Sequence, residues 1–388
     1  MKRILITSTD VMMYQFLLPH VHYLSKQGYI VDVACSYAEG YKKEGYHEYI
    51  RENIPSKSIF FSIKLERNPF NLRNVQGLFE LKKIINSSKY DLIWTNEPVM
   101  GVMTRLAARK ARKAGTKVFY LVHGYHFFKG APKKNWLAYP VENIMSTQCD
   151  AMCMICWEDY YFTRRHMPNK VVYHIDGIGF NANAFKNFSI NRKEKRASLG
   201  IKDNEILILS VGELQARKNH EPIIRAIGKL NNNRIKYMIC GQGELKEHLM
   251  KVAREVGIED RFILTGHVYD IKDRLKAADI FVHPSQREGL GIAALEAMAS
   301  GLPLVTSNVQ GIKDYVMNNK TGFVCEPNDI NAYCSALQKL IDDEELRKQF
   351  GRNNSDLVMK YDISRAVVNV FHILNDILNE RFNRTFVR

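Results

Sequence analysis

The feature that most constrains this 388-residue chain is an alternation of short β-rich runs with helical ones that restarts halfway along. RILIT (3–7), IVDVA (30–34), DLIWT (91–95), KVFYLV (117–122) and AMCMI (151–155) read as strands, with helical patterns at 16–27 and 75–87. Such alternation predicts a parallel sheet with helices on both faces. A second series follows in ILILSV (206–211), IKYMIC (235–240), FILT (262–265), DIFVH (279–283) and PLVT (303–306), with helices near 219–230, 244–256 and 292–300. The length exceeds one ordinary core. The expectation is therefore an α/β chain of two facing, Rossmann-like, doubly wound domains, 1–182 and 183–363, with 183–200 as a polar linker. The C-terminal segment 364–388, with an amphipathic helix, is expected to pack back on the first domain. Ligands of such sheets sit beyond the carboxyl ends of the strands, which predicts an interdomain cleft.

Composition narrows the class. Hydrophobic residues at 46% and charged residues at 25% are ordinary globular values. No apolar run approaches the roughly 18 residues that span a bilayer. The start, MKRILITSTD, reads as a first strand and not as a signal peptide, so a cytoplasmic location is expected. CDAMCMIC (149–156) has the spacing of an iron–sulfur loop, but AMCMIC is almost wholly apolar and no glycine lies near it. Period-two alternation would also send Cys153 and Cys156 to opposite faces. The seven cysteines read as reduced, structural thiols without a metal.

The net charge of +15 is uneven, since residues 1–185 hold 25 Lys/Arg against 15 Asp/Glu. The densest runs are RLAARKARKAGTK (105–117) and FFKGAPKK (127–134). They read either as solvated faces or as attraction to anionic lipid or a diphosphate-bearing partner. Neither interleaves aromatics as a single-strand nucleic-acid platform does, so nucleic acid is not expected as a partner.

HPSQREGLGIAALEAMASG (283–301) carries the densest chemistry. A strand leads into a loop with Glu288, Gly289, Leu290 and Gly291, and helix propensity begins at Ile292. The N-terminus of such a helix exposes unpaired N–H groups that suit a phosphate oxygen. Glu288 is expected to project from the helix mouth. Glu296 lies more than a turn inside an apolar helix, a poor place for an unpaired carboxylate. A ribose diol could satisfy it; a local cap or salt bridge could equally do so. Upstream, VGELQARKNH turns at Gly212 and brings Arg217 and Lys218 to a sheet's carboxyl end. The pair reads as neutralising a departing diphosphate or as a solvated basic pair. CGQGEL (240–245) is a weak glycine turn. In KVFYLVHGYHFFKG, His123 directly follows a strand, as either a site residue or a structural histidine, with His126 the weaker candidate.

Taken together these segments resemble glycosyltransferase family 4, the retaining GT-B enzymes. Glu288 and Glu296 in PSQREGLGIAALEAMASGLPLV carry the likeness with VGELQARKNH, and HGYHFFKGAPKKNW resembles the subgroup building bacterial capsular and exopolysaccharide units. The resemblance implies that Glu296 binds the nucleotide ribose and Glu288 the donor sugar. It assigns the diphosphate to Arg217 and Lys218 after the Gly212 turn, and the sugar and phosphate site to Gly289, Leu290 and Gly291. Gly266 to Val268 would meet the base, and His123 would reach over the sugar. Glu288, His123, Arg217 and Lys218 would be the catalytic set, with no covalent nucleophile.

Two departures from the family pattern stand out. Glu213 follows Gly212 where arginine is common, and the first strand lacks paired glycines, so acceptor contacts through Asp10, Tyr14 or Asn96 are only candidates. No Asp-x-Asp triplet occurs, so the implied chemistry uses no metal or other cofactor. The implied donor is a nucleotide sugar, with UDP by analogy and a hexosyl or N-acetylhexosaminyl group. The implied acceptor is an undecaprenyl-diphosphate-linked saccharide, reached from the inner face of an anionic membrane, and domain closure over the donor would limit hydrolysis. Two rivals are a nucleotide-sugar 2-epimerase of the same fold and a basic nucleic-acid-binding protein. The first would release an epimerised sugar; the second would bind polynucleotide with steep salt dependence and leave both glutamates unexplained.

Overall fold

The computed structural model describes residues 1–36 and 45–381, so the last part of the C-terminal segment, 382–388, lies outside the described residues. The chain divides into two compact units, Met1–Gly179 with Ile363–Arg388, and Phe180–Asp362.

The first unit has seven parallel strands: β1 (Arg3–Ser8), β2 (Ile30–Ser36), β3 (Phe60–Ile63), β4 (Leu92–Asn96), β5 (Lys117–Val122), β6 (Ala151–Met154) and β7 (Val172–His174). Their order is β3-β2-β1-β4-β5-β6-β7. Ile6 of β1 registers with Val33 on one side and Trp94 on the other, so the winding reverses between β1 and β4. That switch is where doubly wound sheets open a binding crevice at their carboxyl edge. Helices α1 (Tyr14–Lys26), α2 (Tyr46–Asn53), α3 (Arg73–Ser87), α4 (Pro98–Ala107), α5 (Arg109–Lys113), α6 (Ala138–Ser146) and α7 (Trp157–His166) connect the strands.

The second unit has β8 (Ile206–Val211), β9 (Ile235–Cys240), β10 (Phe262–Leu264), β11 (Ile280–His283), β12 (Leu304–Ser307) and β13 (Gly322–Cys325), in the order β10-β9-β8-β11-β12-β13. Its helices are α8 (Ala182–Lys186), α9 (Arg192–Ser198), α10 (Glu221–Leu230), α11 (Lys246–Glu255), α12 (Lys272–Ala277), α13 (Ile292–Ala299), α14 (Ile330–Asp342) and α15 (Glu344–Leu357). The chain then returns to the first unit as α16 (Ile363–Leu378), which packs on α1 with the Phe371 ring 5.7 Å from Tyr23.

Central strands are near-continuous buried apolar runs, as both faces of a parallel sheet are covered. Three strands absent from the sequence reading, β3, β7 and β13, span three or four residues and lie at sheet edges. The segment 183–200 is not a linker. It forms α8 and α9, and the buried Arg196 donates to the carbonyls of Ala277, Lys202 and Glu205 while pairing with Asp279 at 3.0 Å. A guanidinium with five donors can satisfy itself inside a protein, so a charged composition here conceals a packed element.

The basic run 105–117 also needs correction, because part of it is internal. Arg105 is fully buried, 2.8 Å from Glu142 and over the Tyr120 ring, and Arg112 is bidentate to Asp150. Arg109, Lys110 and Lys113 remain exposed. The cysteines of 149–156 are buried thiols; desolvation pushes Cys149 up to about 11 and raises Cys153 further.

Candidate active site

In the second unit, the loops leaving β8 and β11 meet. The backbone N–H of Gln286 donates to the Arg217 carbonyl at 2.9 Å. Asn219, in a left-handed conformation, ties the β8 loop to the loops leaving β11 and β13 by donating to the carbonyls of Pro284 (3.1 Å) and Pro327 (2.7 Å). This joins Arg217 and Lys218 to Glu288.

Glu288 does not project freely from the helix mouth. It is buried, and one oxygen, Oε1, receives Lys218 Nζ (2.6 Å), Ser285 Oγ (2.8 Å) and His283 Nε2 (3.2 Å), with Arg217 Nη1 at 3.5 Å. Burial alone would raise its pKa, but the His283 hydrogen bond and the charges of Lys218 and Arg217 outweigh it and hold the group far below the carboxylate range. Burial keeps His283 neutral-leaning, so its Nε2–H is a donor to a fixed anion. One carboxylate against two cations leaves the cluster net positive, which suits a diphosphate. Glu213 lies 3.8 Å from Arg217, but both side chains are more than 40% exposed and this pair is weak.

The loop after Glu288 is built for close approach. Gly291 caps α13 with φ 79 and offers no side chain to the first-turn N–H groups; that of Ala294 donates to the Gly291 carbonyl at 2.9 Å, which leaves those of Ile292 and Ala293 for a ligand. A Cβ on Gly311 would lie 1.9 Å from the Gly289 carbonyl, so only glycine lets these backbones cross. Leu290 is buried, and its carbonyl accepts from Tyr315 Oη at 2.9 Å. Gly212 lies against the stem of Lys218.

Glu296 contrasts with Glu288. It is partly buried on an apolar helix, and no side-chain hydrogen bond or ion pair reaches its carboxylate among the described residues. Desolvation, helped by the charge of Asp270, pushes its pKa up to about 7. Asp270 lines a cavity of ≈ 440 Å³ beyond the carboxyl end of β10, with Thr265, His267, Val268 and Tyr269. Gly266, with φ 73, makes the turn into that cavity.

In the first unit, His123 follows β5 and its Nε2 lies 3.1 Å from Asn96 Oδ1. Trp94 Nε1, a donor only, also reaches Oδ1 (3.2 Å), while Asn96 Nδ2 donates to the Thr7 carbonyl (3.0 Å). Asn96 therefore accepts, His123 carries its proton on Nε2, and Nδ1 is left as the acceptor nitrogen. Burial lowers the His123 pKa to about 4. Asn96 is fully buried and orients His123; it is not an acceptor contact. Tyr14 is not one either, because its buried hydroxyl lies 3.0 and 3.1 Å from the carbonyls of Ile6 and Ala34, inside the core. Asp10 caps Met12 and pairs with Arg67.

The sequence reading gives no role to His283, Ser285 or Asn219, which fall at a strand end, in a loop and at the start of the helix near 219–230. Glu97 gave no periodic signal, yet it has φ 62 and accepts from Ser8 Oγ (2.6 Å) and the N–H groups of Thr9 (2.7 Å) and Asp10 (3.1 Å). A strained carboxylate tying two loops at the switch point could have been sought in the Glu-Pro step that opens α4.

Comparison with known proteins places the chain. Residues 191–356 match the family model described as "Glycosyl transferases group 1", and residues 4–155 match "Glycosyl transferase 4-like". EpsD of Bacillus subtilis, a glycosyltransferase by name, is 32% identical over 94% of each chain. The Escherichia coli UDP-Gal:alpha-D-GlcNAc-diphosphoundecaprenol alpha-1,3-galactosyltransferase is 30% identical over 81% of this chain and 80% of its own. Among solved structures, sucrose-phosphate synthase from Thermosynechococcus elongatus superposes with a TM-score of 0.82 at 18% identity, covering 98% of this chain and 100% of that one. Anabaena HepE in complex with UDP and glucose gives 0.78 at 17% identity, covering 97% and 100%. At these identities the structures speak for the fold, two parallel-sheet units of the GT-B type. The chain thus belongs to the group 1, family-4-like glycosyltransferases.

Proposed function

We propose that this glycosyltransferase moves a sugar, with retention at its anomeric carbon, from a nucleoside-diphosphate sugar to a diphosphoundecaprenol-linked saccharide in capsular or exopolysaccharide synthesis. The observation that carries the donor half is Glu296. An unpartnered carboxylate on an apolar helix, eight residues beyond the Glu288 that holds Lys218, is what a ribose diol would complete. UDP is the expected nucleotide, by analogy with the donor in the Escherichia coli relative's name and with the UDP held by HepE. The acceptor class is likewise taken from that relative's name. The first unit's excess of basic residues supports work at an anionic membrane surface, and no described helix is long and apolar enough to cross one.

In the proposed step, an acceptor hydroxyl oxygen bonds to the anomeric carbon on the face the diphosphate leaves. The bond from that carbon to the β-phosphate oxygen breaks, and the hydroxyl proton passes to the departing phosphate. Arg217 and Lys218 neutralise the charge developing there, joined by the first-turn N–H groups of α13. Glu288 fixes Lys218 and borders the donor sugar, and His123 Nδ1 accepts from a substrate hydroxyl. The absence of an Asp-x-Asp triplet and the presence of these cations lead us to propose that no metal is required.

The test is transfer from UDP-sugars to a short-chain prenyl-diphosphate saccharide with EDTA present, the anomeric configuration being read by NMR. An α-linked product from an α-linked donor, unaffected by EDTA, supports the reading. An inverted product, or activity abolished by EDTA and restored by a divalent cation, overturns it. Lys218→Ala is expected to weaken donor use on the order of 10–100-fold.

A further inference from the structure

One face of the first unit's sheet is covered by a helix layer in which α3 packs on α4 and α4 on α6. Its inner surface supplies Leu81, Ile84, Ile85, Met100 and Met145 to the buried interior. Its outer surface is also apolar. Phe70 and Leu72, in the turn before α3, are 90% and 85% exposed, and Val75 and Phe79, one helical turn apart, are 55% and 62% exposed. At the other end of the layer Leu137, Val141 and Ile144 are 74%, 46% and 63% exposed, with the helical spacing of a second outer stripe. With Trp136, these account for eight of the fourteen exposed large hydrophobics among the described residues, so they are clusters and not scatter. Beside Phe79, Leu72 and Val75, a groove of ≈ 550 Å³ opens along α3.

The charge around both stripes is mainly positive, with Glu80 the one acid among the residues lining the groove. Lys82 lies 5.4 Å over the Phe79 ring and Lys83 borders the groove, while Lys133 and Lys134 precede Leu137. Nearby acids are engaged elsewhere: Glu80 accepts from the Lys64 N–H and Gln76, Glu66 pairs with Arg73, and Glu142 is buried against Arg105. A second copy of this chain would bring lysines against lysines across a two-fold axis. An anionic bilayer complements both parts, apolar side chains entering the interface and lysines meeting headgroups at roughly 1 kcal/mol each.

We propose that the outer face of the α3–α4–α6 layer is a docking surface for an anionic lipid bilayer, entered by Phe70, Leu72 and Phe79 at one end and Leu137, Val141 and Ile144 at the other. Its purpose rests on the lipid-linked acceptor proposed above; the surface itself does not.

The test is flotation of the full chain with vesicles of phosphatidylcholine alone and with phosphatidylglycerol added. The native chain is expected to float with the anionic vesicles and to be released by salt. Phe70→Glu/Phe79→Glu and Leu137→Glu/Ile144→Glu should each lose roughly tenfold or more in partitioning, and Lys82→Glu/Lys83→Glu should lose the preference for anionic lipid. Unchanged melting and UDP binding would show these variants folded. Native protein that ignores anionic vesicles, or variants that float as well as it does, overturn the proposal. So does a native dimer, seen by sedimentation, that the same variants dissociate without any vesicle binding. If the chain docks but transfers no sugar to a vesicle-embedded prenyl-diphosphate saccharide, the acceptor reading fails and the docking surface stands.

Discussion

The two glutamates of the β11–α13 segment make opposite demands on the protein. Glu288 has a pKa held down by His283, Lys218 and Arg217 against the effect of burial. Its stabilising contribution is present above the unfolded carboxylate value of 4.5 and lost as pH falls below it. Glu296, raised from 4.5 to about 7, works the other way: its penalty is absent below 4.5 and grows until pH passes 7. Glu288→Gln is therefore expected to lower the melting temperature at pH 7.5, by a margin that holds down to about pH 4.5 and shrinks only below it. Glu296→Gln should raise stability at pH 8, by about 1–3 kcal/mol after allowing for its partial exposure, and change little at pH 4. Melting curves of both variants across pH 4–8 check this, and equal effects of the same sign would contradict it. Such a stabilising loss is what a binding residue kept against stability produces. His123, lowered to about 4, stays neutral above pH 5, so it is not expected to give an acid limb to the rate profile between pH 5 and 8.

At the scale of elements, what the sequence made legible depended on how an element shows its burial. Central parallel strands declare themselves as apolar runs, and α13 as an Ala-rich helix after glycines. The short β3, β7 and β13 lie at sheet edges, and α9 hides its packing behind Arg196, whose burial depends on carbonyls as distant in sequence as Ala277. The site was legible as loops but not as contacts. Glu288, Arg217 and Lys218 could be named, whereas the Glu288 cage needed His283, Ser285 and the Asn219 clasp from three turns. Two element-level outcomes follow. Gly311→Ala places a methyl 1.9 Å from the Gly289 carbonyl, so the loop must move and donor binding should fall at least tenfold while the sheet persists. Glu142→Ala leaves Arg105 buried without its carboxylate, and a loss of about 3–5 kcal/mol is expected by denaturant titration. A loss below about 1 kcal/mol would mean that the Tyr120 ring and the Gly101 carbonyl alone sustain the guanidinium.

For the whole molecule, the restart of the βα series was enough to anticipate two α/β units. The expected bounds after residues 182 and 363 lie within three residues and one residue of the crossings after 179 and 362, although the polar stretch 183–200 resembles a linker in composition while being folded in fact. The first unit carries the basic excess, the apolar helix layer and His123; the second carries the cationic cluster, Glu296 and the cavity beside Asp270. The central claim is that the second unit binds a nucleoside diphosphate through Glu296 and the Arg217–Lys218 pair. It is tested most directly by calorimetric titration of UDP, GDP and ADP into the native chain and Glu296→Ala, with EDTA present throughout. The account predicts that UDP binds the native chain with micromolar affinity, that Glu296→Ala weakens it on the order of tenfold or more, and that binding near pH 7 releases protons as the diol favours the ionised carboxylate. Absence of binding by any of the three nucleotides, or equal affinity in the variant, would contradict it and leave Glu296 a structural residue.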